Sequence, residues 1–214
     1  MKNKNLPQGL ERERRSFAVP DLRADGGDGI IQGHAAVFGQ EANIGGWFIE
    51  IIERGAFDKT DFRDVVMSYN HNLQQIPLAR SRNNNENSTL QLSVDDEGLL
   101  TRATLDTENN SESRALYSAI KRGDISGMSF IFSVRANGVF WEGLDTELPI
   151  RRIRDIARVY EVSAVSFPAY AGTDIQARDA QALESARAAL ESARSGLESP
   201  QNELELLKAK LKLR

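Results

Sequence analysis

Three residues in this chain carry side chains that could act together on a covalent bond: His71, Ser129 and Glu161. His71 sits in "YNHNLQQIPLA" (69–79) and is one of only two histidines among 214 residues. Imidazole titrates near neutrality without help, so a histidine between two asparagines is either a general base or a polar residue at a strand end, hydrogen-bonded to the next loop. Ser129 lies in "GMSFIFSV". Strand alternation there places Met128, Phe130, Phe132 and Val134 on one face, and Ser129, Ile131 and Ser133 on the other. The apolar face predicts burial and leaves Ser129 on the opposite face of an anchored strand, with Ser126 and Gly127 forming a small, permissive approach. In "RVYEVSAVSFPAY", Glu161 alternates with Val159, Ser163 and Val165. A carboxylate buried in such a run is costly without a hydrogen bond or counter-charge. Glu161 is therefore either partnered, for which a histidine N–H is suited, or exposed on an edge strand. Hydroxyl, imidazole and carboxylate are the parts of a nucleophilic triad, which is defined by roles rather than chain order. Spacing alone leaves open whether the three meet.

Other chemistries find less support. The chain has no cysteine, which excludes disulfides, zinc–thiolate sites and thiol nucleophiles. With two histidines and no HExxH-like spacing, no metal site is expected. There is no GxxxxGKS/T loop and no GxGxxG after a strand, so no cofactor is expected either. "GMSFI" departs from GxSxG at its last position, so a serine here needs a scaffold other than the α/β-hydrolase turn. The 27 basic and 31 acidic residues give a net charge of -4 with both signs interspersed, which argues against nucleic-acid binding. No apolar run reaches the length of a membrane span, and "MKNKNLPQGLERERR" lacks a signal peptide's apolar core. A soluble protein of a reducing cytoplasm is expected.

The elements that must position these residues are mostly strands. Residues 1–15 are polar and read as a mobile, solvated arm. "RSFAVPDLR", "GIIQGHAAVFG", "GGWFIEIIERGAF" and "DVVMSYNH" follow as strand-like runs, the last leading into His71. In the third, Trp47, Ile49 and Ile51 alternate with Phe48, Glu50 and Ile52. "STLQLSVDDEGLLTRATLD" reads as a hairpin turning at "DDEG". "NNSESRALYSAIKRG" is a helix, with Asn110 or Ser111 as N-cap and Gly123 at the C′ position. Many short strands with one or two helices predict a barrel or curled sheet. From Thr173 the texture changes. Leu183, Leu190, Leu197, Leu204 and Leu211 recur every seven residues, with Ala186 and Ala193 between them. That is a heptad seam, suited to self-association or a partner helix. The plainer alternative is an exposed terminal helix, and Gly196 and Pro200 weaken or bend it.

In their order, "RRSF", "GHAAVFG", "FIEIIERGAFDKT", "MSYNHN…IPLA", "DDEGLLTRATLD", "LYSAIKRGDISGMSFIF" and "RVYEVSAVSFPAYAGTDI" resemble the HK97-type prohead (capsid maturation) serine proteases of tailed bacteriophages, over roughly residues 12–172. The family's catalytic histidine after the "GAF" segment and its serine in the "G-x-S-F" strand fall on His71 and Ser129. The resemblance makes Glu161 the third member, while His34 reads as structural. The family commonly has an acid after the histidine and a glycine after proline–leucine, where this chain has Asn72 and Ala79.

The resemblance implies an α+β fold, a mainly antiparallel β-barrel core flanked by helices as in the herpesvirus assembly proteases. The changes of texture at Ser16 and Thr173 divide the chain into an arm (1–15), a protease domain (16–172) and a helical heptad-repeat tail (173–214). The implied activity is that of a serine endopeptidase inside the immature capsid, in the host cytoplasm. It would cleave the scaffolding segment of the major capsid protein precursor, and itself. No nucleic-acid or membrane partner is implied. The alternatives are an inactive capsid-assembly or scaffold component with a protease-like fold, and an unrelated barrel that binds a small ligand.

Overall fold

Apolar residues alternate in many short runs along the chain, and such runs bury their apolar side as strands. The computed structural model describes residues 12–19, 21–25, 28–167 and 180–197. Thirteen strands and two helices follow in order: β1 (Glu13–Ala18), β2 (Arg23–Asp25), β3 (Ile30–Val37), β4 (Ala42–Ile44), β5 (Phe48–Ile52), β6 (Asp64–Tyr69), β7 (Ala79–Arg82), β8 (Leu90–Val94), β9 (Gly98–Thr104), α1 (Ser111–Lys121), β10 (Gly127–Val134), β11 (Val139–Glu142), β12 (Ile150–Ile153), β13 (Ile156–Val165) and α2 (Ala180–Leu197). The fold is α+β. Helix α1 begins where the sequence predicts: the Asn110 side chain accepts from the backbone N–H of Glu112 and Ser113, and Gly123 follows the helix with φ of 79°.

Among the described residues the strands form three sheets that do not close into a barrel. Their orders are β1-β10-β13-β6-β7, β11-β12-β5-β4 and β2-β3-β9-β8. Most pairings are antiparallel, but β13–β6 and β12–β5 are parallel. These two long-range pairings break the single run of neighbouring hairpins that a barrel reading assumes. The hairpin β8–β9 turns at "DDEG" as expected, where Asp95 Oδ1 accepts from the N–H of Glu97 and Gly98. Gly98 is required there, since a Cβ would stand 1.9 Å from the Ala36 carbonyl oxygen.

The five-stranded sheet packs one face against the β2-β3-β9-β8 sheet. Met67, Met128, Phe130, Phe132, Val162 and Ala164 on one side meet Ile31, Ala35, Leu90, Leu99 and Ala103 on the other. The Phe130 and Phe132 rings stack with centroids 4.4 Å apart. The opposite face of the five-stranded sheet carries the site.

Strand β1 reaches into residues 13–15, which the sequence predicts to belong to a solvated arm. Arg15 is 3 % exposed. It donates twice to Glu50 of β5, from Nε at 2.5 Å and Nη2 at 2.8 Å, and also to Glu13. Arg151 of β12 donates to both Glu13 oxygens at 2.7 Å and to Glu50. Two carboxylates and two guanidiniums thus neutralise one another and tie β1 to the β11-β12-β5-β4 sheet. A charged residue is admitted to such a place only with its partners, and local composition does not show them.

Helix α2 lies on that same sheet. Ala186 and Leu190 of the heptad seam are buried with Ile44 and Phe48, and Trp47, Trp141 and Leu144 pack around them. Arg194 donates to the Leu144 and Thr146 carbonyls, and Arg187 pairs with Glu191 at 3.0 Å. These two seam positions are covered by the chain itself. The side chains of Leu183 and Leu197, and all of Pro200, Leu204 and Leu211, lie outside the described residues.

Burial pushes the Glu13 carboxyl up, but Arg151 and Arg15 outweigh it and hold its pKa at about 2, against an ordinary 4.5. A lowered carboxylate pKa contributes stability that is present above the unfolded value and lost as pH falls through the folded one. The urea midpoint should fall between pH 4.5 and 2, and Glu13→Gln should flatten that descent. Arg151→Met leaves Glu13 and Glu50 short of a counter-charge and should cost about 3 kcal/mol at pH 7. Leu190→Ala should cost about 2 kcal/mol in the same titration, by opening a cavity over Phe48.

Candidate active site

Register across the five-stranded sheet lines up four serines. Ser16 of β1 stands opposite Ser129 of β10, Ser129 opposite Ser163 of β13, and Ser163 opposite Ser68 of β6. Directly paired residues share a sheet face, so all four hydroxyls project away from the phenylalanine core. The next row, two residues along, is Arg14, Ile131, Glu161 and Val66. A bulge lies just beyond: Ile131 pairs with Glu161 but Phe132 pairs with Val159, which leaves Tyr160 as the extra residue. Simple alternation puts Val159 beside Glu161. The bulge instead turns Val159 into the core and leaves Glu161 on the serine face.

His71 comes to this row from the end of β6. Asn70 and His71 both have left-handed backbone, with φ of 50° and 59°. Such φ values are costly for residues other than glycine and persist where surrounding bonds hold them. Here the N–H of Asn70 donates to the Ala164 carbonyl, and the N–H of His71 donates to Ser163 Oγ, both at 3.0 Å. The Asn70 side chain accepts from Ser166 N–H across the same gap. The turn swings the imidazole back over the sheet.

All three residues that the sequence singles out are brought together. His71 Nδ1 lies 2.8 Å from Glu161 Oε2, and Nε2 lies 2.7 Å from Ser129 Oγ. An ionised carboxylate only accepts, so the proton of a neutral imidazole belongs on Nδ1 and the Nε2 lone pair faces the serine. Glu161 is 1 % exposed on a strand paired on both sides, and not on an edge. Its second oxygen accepts from Ser68 Oγ at 2.5 Å. Ser129 is fully buried; its hydroxyl also lies 2.8 Å from the Arg15 carbonyl and 3.0 Å from Ser16 Oγ. A hydroxyl, an imidazole nitrogen facing it and a carboxylate on the far ring nitrogen are the groups that nucleophilic catalysis by a serine requires.

Sequence reading passes over Ser16, Ser68 and the bonding of Ser163. A signal existed for Ser163, two residues from Glu161 in the same run. For Ser68 none exists, because its partner is 93 residues away. Two cavities flank the segment after His71. One of about 350 Å³ is lined by Tyr69, Ile76, Leu78, Leu116 and Ile125, and one of about 390 Å³ by Arg12, Ile131, Arg158, Tyr160 and Glu161. Ser68 borders both, while Ser129 and His71 line neither.

His34 belongs to a different place. Its Nδ1 is 2.7 Å from Asp21 and its Nε2 is 3.0 Å from Asp95, with Glu97 at 3.8 Å. It joins the loop before β2 to the β8–β9 turn. Burial opposes its charged form, but the hydrogen bonds and negative charges of Asp95 and Asp21 outweigh that and raise its pKa above the usual imidazole value.

Among known protein families, a model described as caudovirus prohead serine protease matches residues 16–187. No curated protein and no solved structure matches the chain.

A raised histidine pKa contributes stability that is fully present below the unfolded value and lost as pH rises through the folded one. The gap in urea midpoint between the wild-type chain and His34→Gln should therefore be wider at pH 6 than at pH 9, as roughly placed by the ordinary imidazole value of about 6.5. An equal gap at both pH values would contradict the charged-imidazole account.

Proposed function

The chain belongs to the caudovirus prohead serine protease family, and on that premise we propose that Ser129 is its nucleophile, His71 its general base and Glu161 the carboxylate that steadies the imidazole. The observation that carries this reading is the pair of contacts on one ring, 2.7 Å from Nε2 to Ser129 Oγ and 2.8 Å from Nδ1 to Glu161 Oε2. A serine hydroxyl is a weak nucleophile until its proton has somewhere to go. As Oγ attacks the scissile carbonyl carbon, the proton passes to Nε2, and the imidazolium is stabilised by Glu161 through the Nδ1–H bond. The same proton then goes to the leaving amine, and water, activated by Nε2, releases the acyl group and restores the serine. Arg15 O, Ser16 Oγ and the His71 ring enclose Ser129 Oγ, so a substrate carbonyl reaches it only when one of them gives way.

The substrate we assign is the scaffolding segment of the major capsid protein precursor, together with the chain itself, inside the prohead. This reading rests on family membership and on the resemblance of the sequence motifs. The tail after Leu197, where Leu204 and Leu211 continue the seven-residue spacing, is the segment left to engage a capsid component or a second copy.

Co-expression with the capsid precursor tests the reading. The wild-type chain should shorten the precursor, Ser129→Ala should abolish the product, and Ser126→Ala should keep it. His71→Ala should lower the rate by about 10²–10⁴, the usual worth of a general base, and Glu161→Gln should leave a folded protein with partial to severe loss. Cleavage that survives Ser129→Ala would remove Ser129 from the role.

A further inference from the structure

Counting protons around Glu161 fixes a direction for every hydrogen bond behind it. Glu161 Oε1 can only accept, so Ser68 donates its single hydroxyl proton there. Ser68 Oγ and Ser163 Oγ are 2.8 Å apart, and with the Ser68 proton spent the donor between them must be Ser163. Ser163 Oγ is then free to accept, and it accepts from the His71 backbone N–H at 3.0 Å. From His71 the ring returns through Nδ1–H to Glu161 Oε2 at 2.8 Å. One residue is thus gripped at both its backbone and its side chain by a closed circuit that uses both oxygens of one carboxylate. All four members are buried or nearly so: Ser163 is 0 %, Glu161 1 % and Ser68 5 % exposed, and the His71 side chain 8 %.

We infer that Ser163 and Ser68 are positioning residues for the cleavage reaction, holding His71 in its left-handed conformation and its imidazole on the line to Ser129. The inference rests on the proposed roles of Ser129, His71 and Glu161. Two features set these serines apart from ordinary buried hydroxyls. The φ of 59° at His71 is held by a bond whose acceptor is a side chain and not a backbone carbonyl. Furthermore, the circuit closes on the carboxylate that faces Nδ1, so loss of either hydroxyl reaches the imidazole from two sides. Without Ser163 the His71 N–H is orphaned and the backbone is released to its commoner conformations. Without Ser68, Glu161 Oε1 loses its donor and the carboxylate can turn away from Nδ1. Displacement of a reacting group by about 1 Å is enough to cost on the order of 100-fold in rate.

The test uses the full chain with Ser163→Ala, Ser68→Ala and the rescue variant Ser68→Thr. Threonine keeps the hydroxyl, suits a strand, and has room for its methyl because Ser68 borders both cavities. The first measurement is the downfield proton resonance of the His71 Nδ1–H, assigned by its loss in His71→Ala and kept apart from the one other histidine, His34. It needs no activity. The resonance should broaden or move in both alanine variants and return in Ser68→Thr, with thermal unfolding still cooperative in all. The second is the rate of capsid-precursor cleavage, where kcat should fall by roughly 10- to 100-fold with KM unchanged in the alanine variants, and recover in Ser68→Thr. Wild-type resonance and wild-type kcat in both alanine variants would overturn the positioning role. Should Ser129→Ala still cut, the triad reading fails instead, and the resonance measurement continues to decide whether the circuit holds His71.

Discussion

The pairing of Ser129 with Ser163 across β10 and β13 is the constraint on which the rest of the site depends. A slip of one residue would turn every side chain on one strand to the other face, sending Glu161 into the phenylalanine core and the aromatic rings into the site. The register is secured by burial on the core side, where Met128, Phe130 and Phe132 face Ala164, Val162 and Val159. Apolar packing on one side of the sheet thus aligns hydroxyls on the other. The parallel pairing with β6 extends that alignment to Ser68 and brings the chain out next to Ser163, so that His71 arrives where its N–H is wanted.

The same economy of position holds at the sheet's edge. Alternate residues of β1 serve different faces. Glu13 and Arg15 reach the buried ion cluster with Glu50 and Arg151, while Arg14 and Ser16 lie on the rows of Glu161 and Ser129. The ion cluster therefore does more than cancel charge. It fixes the depth of the strand whose Arg15 carbonyl lies 2.8 Å from Ser129 Oγ. Removing one member would leave a buried charge unpaired and loosen a neighbour of Ser129 in the same stroke.

Much of this was legible in the sequence wherever a local rule applied. Alternation in "GMSFIFSV" assigned the faces of β10, and the demand of a buried carboxylate for a partner pointed from Glu161 towards a histidine. The caps of α1 were readable from Asn110 and Gly123. What escaped is non-local. The bulge at Tyr160, the three separate sheets that the described residues form in place of a barrel, and the bond between Ser68 and Glu161 all follow from pairings between distant segments, to which no window of neighbouring residues is sensitive. Arg15 illustrates the point. "ERERRSF" looks like solvated surface because Glu50, which pairs with Arg15, and Arg151, which pairs with Glu13, lie far along the chain. Glu50 itself offered the same clue as Glu161, a lone carboxylate in an apolar run.

A hydroxyl has one hydrogen, and around Ser129 two acceptors compete for it: the carbonyl of Arg15 at 2.8 Å and the Nε2 lone pair of His71 at 2.7 Å. The O–H rotor points at only one of them at a time. Its orientation is a ratio between two hydrogen bonds of similar length, not a single locked bond. A ratio of that kind is adjusted by small movements of either acceptor, since hydrogen-bond strength changes steeply with geometry. Were β1 drawn outward the imidazole would hold that hydrogen more firmly, and were it pressed inward the carbonyl would. The placement of β1 therefore bears, through the Arg15 carbonyl, on the direction in which a hydroxyl more than a hundred positions along the chain points.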